Sequence, residues 1–277
     1  MIEENREVNG SILQSCCDTL TALREKKPLI HHITNYVTVN DCANITLAIG
    51  ASPVMADDIN EVEEMTSIAG ALVINIGTLN TRTVDSMIKA GKKANELNIP
   101  VILDPVGVGA TKYRLEVAKK LLENVKFTVV RGNMSEIKIL SGIKSGIKGV
   151  DSTESLDGKE KIAKNLALKL KSVVAITGAI DCISDGKRIV SIENGHSMLS
   201  NVTGTGCMST SLIASYTSIF KDGFIGAIGG LVSMGIAGEK SFESLVDGDG
   251  IGTFRIRIFD NIYNLTESEL LNKAKIY

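Results

Sequence analysis

The chain has 277 residues, 44% apolar and 22% charged, with 30 basic against 32 acidic side chains and a formal net charge of −2. That balance excludes a disordered chain, which would be charge-rich and apolar-poor, and the lack of a basic excess excludes nucleic acid or an anionic membrane as the main partner. Trp is absent and aromatics are 4%, too few for a base-stacking platform.

At roughly 150 residues per domain the length allows one or two domains. No repeat, low-complexity tract or Pro/Ser-rich linker divides it, so a single domain over residues 1–277 is expected. A chain this long buries a large core without disulfide or metal staples. The five cysteines are Cys16, Cys17, Cys42, Cys182 and Cys207. Their odd number and unpaired spacing argue against a disulfide framework or zinc site and for a reducing, cytoplasmic setting. The start, MIEENREV, is acidic and polar, unlike a secretory signal. The longest apolar stretch, residues 224–237, is Gly-rich. At about 14 residues it falls short of the roughly 20 that span a bilayer, and a buried helix is expected there.

In chain order, residues 31–40 (HHITNYVTVN) are dense in hydrogen-bonding side chains and precede an apolar helical run over 42–49. The adjacent histidines point in different directions and cannot ligate one metal together. Residues 52–56 (SPVMA) read as a short extended run whose Met55 can line an apolar pocket. Continuous β-rich runs follow at 72–76, 101–103, 127–130 and 173–176, the pattern of strands buried on both faces. Amphipathic helices are predicted between them over 83–97, 114–123 and 161–170. Such alternation implies an α/β fold, a mostly parallel sheet with helices on both faces. A polar stretch over 141–159 reads as a surface excursion. Residues 181–184 and 188–192 flank Asp185-Gly186, a hairpin signal. Two largely buried helices are expected over 207–220 and 224–237. Residues 254–259 (FRIRIF) read as a late edge strand.

Ligands of open parallel sheets bind beyond the carboxyl ends of the strands. The residues there are Asn75, Gly77 and Thr78; Asp104-Pro105-Val106-Gly107; Arg131-Gly132-Asn133; and Thr177-Gly178. Any one group is an ordinary turn, but four together, with a carboxylate and a guanidinium, point to a site. The segment Asn133-Met134-Ser135-Glu136 reads either as a helix capping box or as a carboxylate able to hold Mg²⁺ through water. The sharpest feature is Gly204-Thr205-Gly206-Cys207 ahead of a helix. Free amides and the helix dipole make an anion pocket there, and the glycines let the backbone approach a ligand. Cys207 falls in the first turn, where a thiol pKa is lowered. The motif lacks the third glycine of a dinucleotide fingerprint and the Gly-Lys-Ser/Thr of a P-loop. It reads equally as a Gly-rich helix start over a small packed cysteine. A cysteine-nucleophile hydrolase using His31, His32 or His196 as base is the competing class.

Taken in order, His32-Ile33-Thr34-Asn35-Tyr36-Val37, Gly50-Ala51-Ser52-Pro53-Val54-Met55, Leu103-Asp104-Pro105-Val106-Gly107, Arg131-Gly132-Asn133-Met134-Ser135-Glu136 and Asn201-Val202-Thr203-Gly204-Thr205-Gly206-Cys207 resemble the hydroxyethylthiazole kinase family of the ribokinase-like superfamily. The likeness runs over about residues 28 to 260. The segment before Pro28 departs most, and the stretch over 141–159 carries no matching motif. The resemblance implies a ribokinase-like fold and ATP-dependent phosphorylation of the hydroxyl of 4-methyl-5-(2-hydroxyethyl)thiazole in thiamine salvage. It implies Asn35, Val37, Met55 and Gly204 as substrate-pocket positions and Arg131 and Thr177 as ATP contacts. It further implies Gly204, Thr205 and Gly206 as the anion hole, Cys207 as the catalytic position, and Asp104 and Glu136 as holders of Mg²⁺. A homotrimer with the thiazole site at subunit interfaces is also implied. A kinase for another small aromatic alcohol, such as a pyrimidine, keeps the fold and changes the substrate.

Overall fold

A computed structural model describes residues 2–142 and 156–277. Eight strands form one sheet: β1 (Leu29–Ile33), β2 (Ser52–Val54), β3 (Ala71–Asn75), β4 (Val101–Asp104), β5 (Val129–Asn133), β6 (Val173–Thr177), β7 (Asp181–Ser184) and β8 (Ile189–Ile192). Their order is β2-β1-β3-β4-β5-β6-β7-β8. The first six are mutually parallel, and β7 and β8 close the sheet as an antiparallel hairpin. The hairpin turns on Gly186, whose φ of 91° suits a residue without Cβ.

Strand residues alternate between two cores. On one face Ile30, Val73, Ile102, Val129 and Ala175 pack with helices α1 (Ile2–Lys26), α2 (Val39–Ile49), α8 (Thr205–Phe220), α9 (Gly223–Glu243), α10 (Ile251–Tyr263) and α11 (Glu267–Lys273). On the other, Leu72, Ile74, Leu103, Val130 and Ile176 pack with α3 (Val62–Ser67), α4 (Thr81–Glu96), α5 (Lys112–Asn124), α6 (Met134–Leu140) and α7 (Leu156–Leu170). Strands covered on both sides have no polar face to show, hence their unbroken apolar runs. The expected helices over 207–220 and 224–237 are α8 and α9, the latter buried along most of its length. Among the described residues no helix is long and apolar enough to cross a membrane.

Three parts of the sequence reading change. Residues 254–259 belong to α10, not to an edge strand. Their Arg–Ile alternation imitates a strand, but the buried positions are Phe254, Ile258 and Ile262, spaced by four, while Ile256 is 60% exposed; the burial follows the helical period. The segment before Pro28 forms α1, which seals the first core with Ile12, Cys16, Cys17, Leu20 and Leu23. His31 and His32 lie inside β1, buried among apolar neighbours. Of the polar stretch over 141–159, residues 143–155 lie outside the described residues; its flanks end α6 and begin α7.

The order β2-β1-β3 creates the ligand crevice. From β1 the chain moves outward to β2, then returns past β1 to β3, so β1 and β3 are neighbours whose connections leave in opposite directions. At the carboxyl ends of such a pair the following loops part and leave a cleft.

Candidate active site

Asn35 follows β1 and Asn75 ends β3, so they face each other across that crevice. Asn35 Nδ2 donates to Asn75 Oδ1 at 3.1 Å. Asn75 Nδ2 donates to Asp104 Oδ2 on the adjoining strand β4 at 3.0 Å, and Thr210 Oγ1 from α8 donates to the same oxygen at 2.9 Å. Both amides reach the Cys207 sulfur, Asn35 at 3.4 Å and Asn75 at 3.3 Å. Asn35 is oriented by Thr38, whose amide and hydroxyl both donate to its Oδ1 at 3.0 and 3.1 Å. Asn75 Oδ1 also accepts the Gly77 amide at 2.8 Å. Asn75 thus has both donors and its carbonyl oxygen engaged, which pins one rotamer.

Helix α8 starts directly above this network. Its N-cap is Gly204, at φ 87°, and no side chain caps it, whereas Asn80, Thr111, Asn133, Asp222 and Thr266 cap α4, α5, α6, α9 and α11. Helices α2, α3 and α10 likewise lack a side-chain cap, and at α8 two glycines, Gly204 and Gly206, open the first turn. Gly204 must be glycine twice over: its φ is left-handed, and a Cβ would meet Thr38 Cγ2 at 2.7 Å. At Gly206 a Cβ would meet the Arg131 guanidinium at 2.6 Å, so that side chain lies flat against the helix start. Thr205 Oγ1 donates back to the Leu199 carbonyl at 3.1 Å and ties the preceding segment to the turn.

Arg131, on β5, donates to Thr177 Oγ1 on β6 at 2.7 Å and lies 3.7 Å from Asp104 Oδ1. Asp104 is fully buried. Burial pushes its carboxyl above the ordinary range, Arg131 opposes that, Glu136 adds to it, and the Thr210 and Asn75 hydrogen bonds oppose it. Asp104 Oδ1 and Arg131 Nε are buried without hydrogen-bond partners. Buried polar atoms are ordinarily paired, so Asp104 Oδ1, with the Arg131 Nη1 atom 3.7 Å away, is open to a further polar partner. Glu136 makes the capping box with Asn133, and its second oxygen accepts the Gly107 amide at 2.8 Å. So the structural reading of Asn133–Glu136 holds, and the same carboxylate braces the loop after β4.

The thiol expectation reverses. Cys207 is buried, and burial followed by the Asp104 charge pushes its pKa up, against hydrogen bonds from Thr38, Asn75 and Asn35. Among the described residues, no histidine bonds this sulfur. His32 instead meets Ser211 Oγ at 3.1 Å and the Ile30 carbonyl at 3.1 Å, and burial lowers it to about 4. His31 joins Thr66 Oγ1 and the Ala56 carbonyl. His196 stacks on Phe242 with ring centres 3.6 Å apart. A cysteine nucleophile with a histidine base therefore has no geometry here.

A cleft of about 280 Å³ opens beside the network, lined by His32, Thr34, Tyr36, Val39, Met55 and Thr78 among others. Met55 lines this cleft beside the polar Asp57, Asn80 and Arg82. Val37 is 58% exposed on the turn after β1, beside Tyr36 at 78%. A larger cavity of about 390 Å³ lies between α1 and α11, around Arg24 and Glu267, and holds none of these residues. Sequence reasoning missed Thr210 and Arg114. Thr210 is one turn beyond Cys207 on α8, a spacing that could have disclosed it. Arg114 donates to the Ile76, Gly77 and Val106 carbonyls at 2.6, 2.7 and 2.8 Å. It holds the loops after β3 and β4 together, and nothing local in the sequence announces it. No group of three or more His, Cys, Asp or Glu side chains forms a ready metal cage among the described residues.

A ribokinase-like superfamily protein from Enterococcus faecalis superposes with a TM-score of 0.62 at 12% identity, over 86% of this chain and 87% of that one. The fold is therefore that of the ribokinase-like class. A hydroxyethylthiazole kinase from Clostridium beijerinckii is 59% identical over 263 residues, covering 92% of this chain and 95% of the relative. The solved hydroxyethylthiazole kinase of Pyrococcus horikoshii OT3 superposes with a TM-score of 0.86 at 39% identity, over 95% and 98% of the two chains. The hydroxyethylthiazole kinase family model matches residues 20–268, and the chain belongs to that family.

Proposed function

We propose that this protein transfers the γ-phosphoryl of ATP to the hydroxyl of 4-methyl-5-(2-hydroxyethyl)thiazole, as a step of thiamine salvage. One observation carries the reading: the uncapped, Gly-rich start of α8 lies over a buried pair in which Arg131 approaches Asp104 Oδ1 at 3.7 Å, and that oxygen has no hydrogen-bond partner among the described residues. Family membership supplies the substrate class.

Phosphoryl transfer is mostly positioning and charge stabilisation. The amides of Thr205, Gly206 and Cys207, with Gly204 opening the turn, hold the charge that develops on the transferred group. Arg131, fixed by Thr177, contacts phosphate oxygens. Asn35 and Met55 bound the thiazole end, and Cys207 sits against the substrate hydroxyl. Its raised pKa keeps the thiol protonated at neutral pH. Cys207 therefore positions the hydroxyl rather than taking its proton as a resident base.

The residues fit Mg²⁺ held jointly with nucleotide phosphates. Asp104 Oδ1 would be the ligand atom without another hydrogen bond, while Glu136, which already accepts two amides, would act on the ion through water. When bound, the ion neutralises phosphate charge. A homotrimer that completes the thiazole site across its interfaces is proposed as well. The exposed Tyr36–Val37 pair beside the cleft supports it, and light scattering of wild type and Val37→Lys checks it. Five free, buried cysteines favour the reducing cytoplasm.

The test is an ATP/Mg²⁺ assay on the thiazole alcohol and a pyrimidine alcohol in parallel. Turnover of the thiazole with a higher kcat/KM is expected. No thiazole turnover, with phosphorylation of the pyrimidine, would overturn the substrate assignment.

A further inference from the structure

Thr177 and Gly178 cross the carboxyl edge of β6, and two cations flank them. Arg131 lies on one side, bonded to Thr177 Oγ1. On the other is Lys159, from the first turn of α7. Its Nζ donates to the Ile180 carbonyl at 2.7 Å and stands 3.1 Å from where a Gly178 Cβ would be. A side chain at residue 178 would therefore push that ammonium away from the strand end. The first turn of a helix is where the helix dipole disfavours a cation, so local helix energetics do not account for a lysine there. Both cations act on Asp181, whose buried carboxyl accepts the Gly178 amide at 2.8 Å. Neither Asp181 nor Asp104 makes a close ion pair with Lys159 in the structure. An ammonium has three donors, and among the described residues Ile180 takes one of them.

We propose that Lys159 is a second phosphate-binding cation of the nucleotide site, gripping the polyphosphate across Thr177-Gly178 from Arg131. The inference rests on the kinase reading above and extends it to a residue that the motifs do not cover. Lysine serves phosphate as a mobile point charge where arginine serves as a fixed fork, so the pair divides the work: Arg131 orients and Lys159 neutralises.

Lys159→Gln tests it, because the Gln amide can still donate towards the Ile180 carbonyl while the charge is gone. Calorimetric binding of ADP and of adenosine is compared in wild type, Lys159→Gln and Lys159→Arg, with thermal melts confirming folding. The expected result is ADP binding weakened about tenfold by Gln and restored to within about threefold by Arg, with adenosine binding unmoved. In turnover, KM for ATP should rise more than kcat falls, and KM for the thiazole alcohol should stay put. Equal weakening of ADP and adenosine would show a role in holding the loop alone and overturn the proposal. Unchanged ADP binding by a folded Lys159→Gln would overturn it while leaving the kinase reading intact. A wild type that binds no ADP would overturn both.

Discussion

Gly206→Ala separates activity from stability at a single atom. The new Cβ would fall 2.6 Å from one Arg131 guanidinium nitrogen and 2.9 Å from the other, well inside ordinary contact. The backbone of α8 is packed into the core at Met208 and Leu212, so the guanidinium end is what yields. Moving it stretches or breaks the 2.7 Å bond to Thr177 and its approach to Asp104. A charge-assisted hydrogen bond of this kind contributes about 1.5–3 kcal/mol, which is about 10- to 150-fold in kcat/KM for ATP. Folding should not suffer, because Ala favours a helix over Gly by about 1 kcal/mol. The expected variant is therefore as stable as wild type, or slightly more so, and much less active. Steady-state kinetics and a thermal melt read the two effects, and the double variant with Arg131→Ala assigns the cause. If the clash with Arg131 is the mechanism, Gly206→Ala adds little in that background. Retention of kcat/KM within about twofold, or full additivity with Arg131→Ala, would refute the reasoning.

Three further outcomes follow from the same geometry. Asn75→Asp places a second carboxylate 3.0 Å from Asp104 Oδ2. Like charges that close cannot both ionise, so kcat/KM should drop more than 100-fold, and a loss under tenfold would contradict the network. Alkylation of Cys207 by iodoacetamide needs the thiolate. With its pKa pushed up, the rate should climb past pH 9 without a plateau, and a plateau below pH 8 would be inconsistent with the burial argument. Asp181 is raised from 3.8 to about 6, chiefly by burial. Its folded form binds a proton more tightly than the unfolded chain, so its contribution to stability is full below pH 4 and lost as pH rises through 6. The loss is up to about 3 kcal/mol. Asp181→Asn keeps an acceptor for the Gly178 amide, and should flatten the urea-measured stability between pH 4 and 6; an unchanged slope would exclude Asp181 as its source.

Much of the fold was legible because its signals are local. Apolar runs at 72–76 and 173–176 suggest strands covered on both faces, and Asp185-Gly186 signals a hairpin; both are there. What misled was also local. The FRIRIF run over 254–259 alternates like a strand, and only packing against α9 and α2 shows that Phe254, Ile258 and Ile262 are the buried set. Strand β1 was hidden by its two histidines, which pass for polar surface until Thr66, Ala56, Ile30 and Ser211 satisfy all four ring nitrogens.

The site divides along the same line. Gly204-Thr205-Gly206-Cys207 is legible as an open, Gly-rich helix start because a helix start is a property of consecutive residues. The polar network beneath it is not consecutive in any sense: Asn35 meets Asn75 across 40 residues, Asn75 meets Asp104 across 29, and Thr210 meets Asp104 across 106. Only the strand order brings them together, by setting β1, β3 and β4 side by side under α8. That is also why the thiol expectation failed. A first-turn cysteine judged by its own helix should have a low pKa, but its neighbours come from elsewhere in the chain. They bury it and set the Asp104 charge beside it. The topology therefore decides the surroundings of Cys207: it gives the sulfur two amide donors and a buried acid and, among the described residues, no histidine.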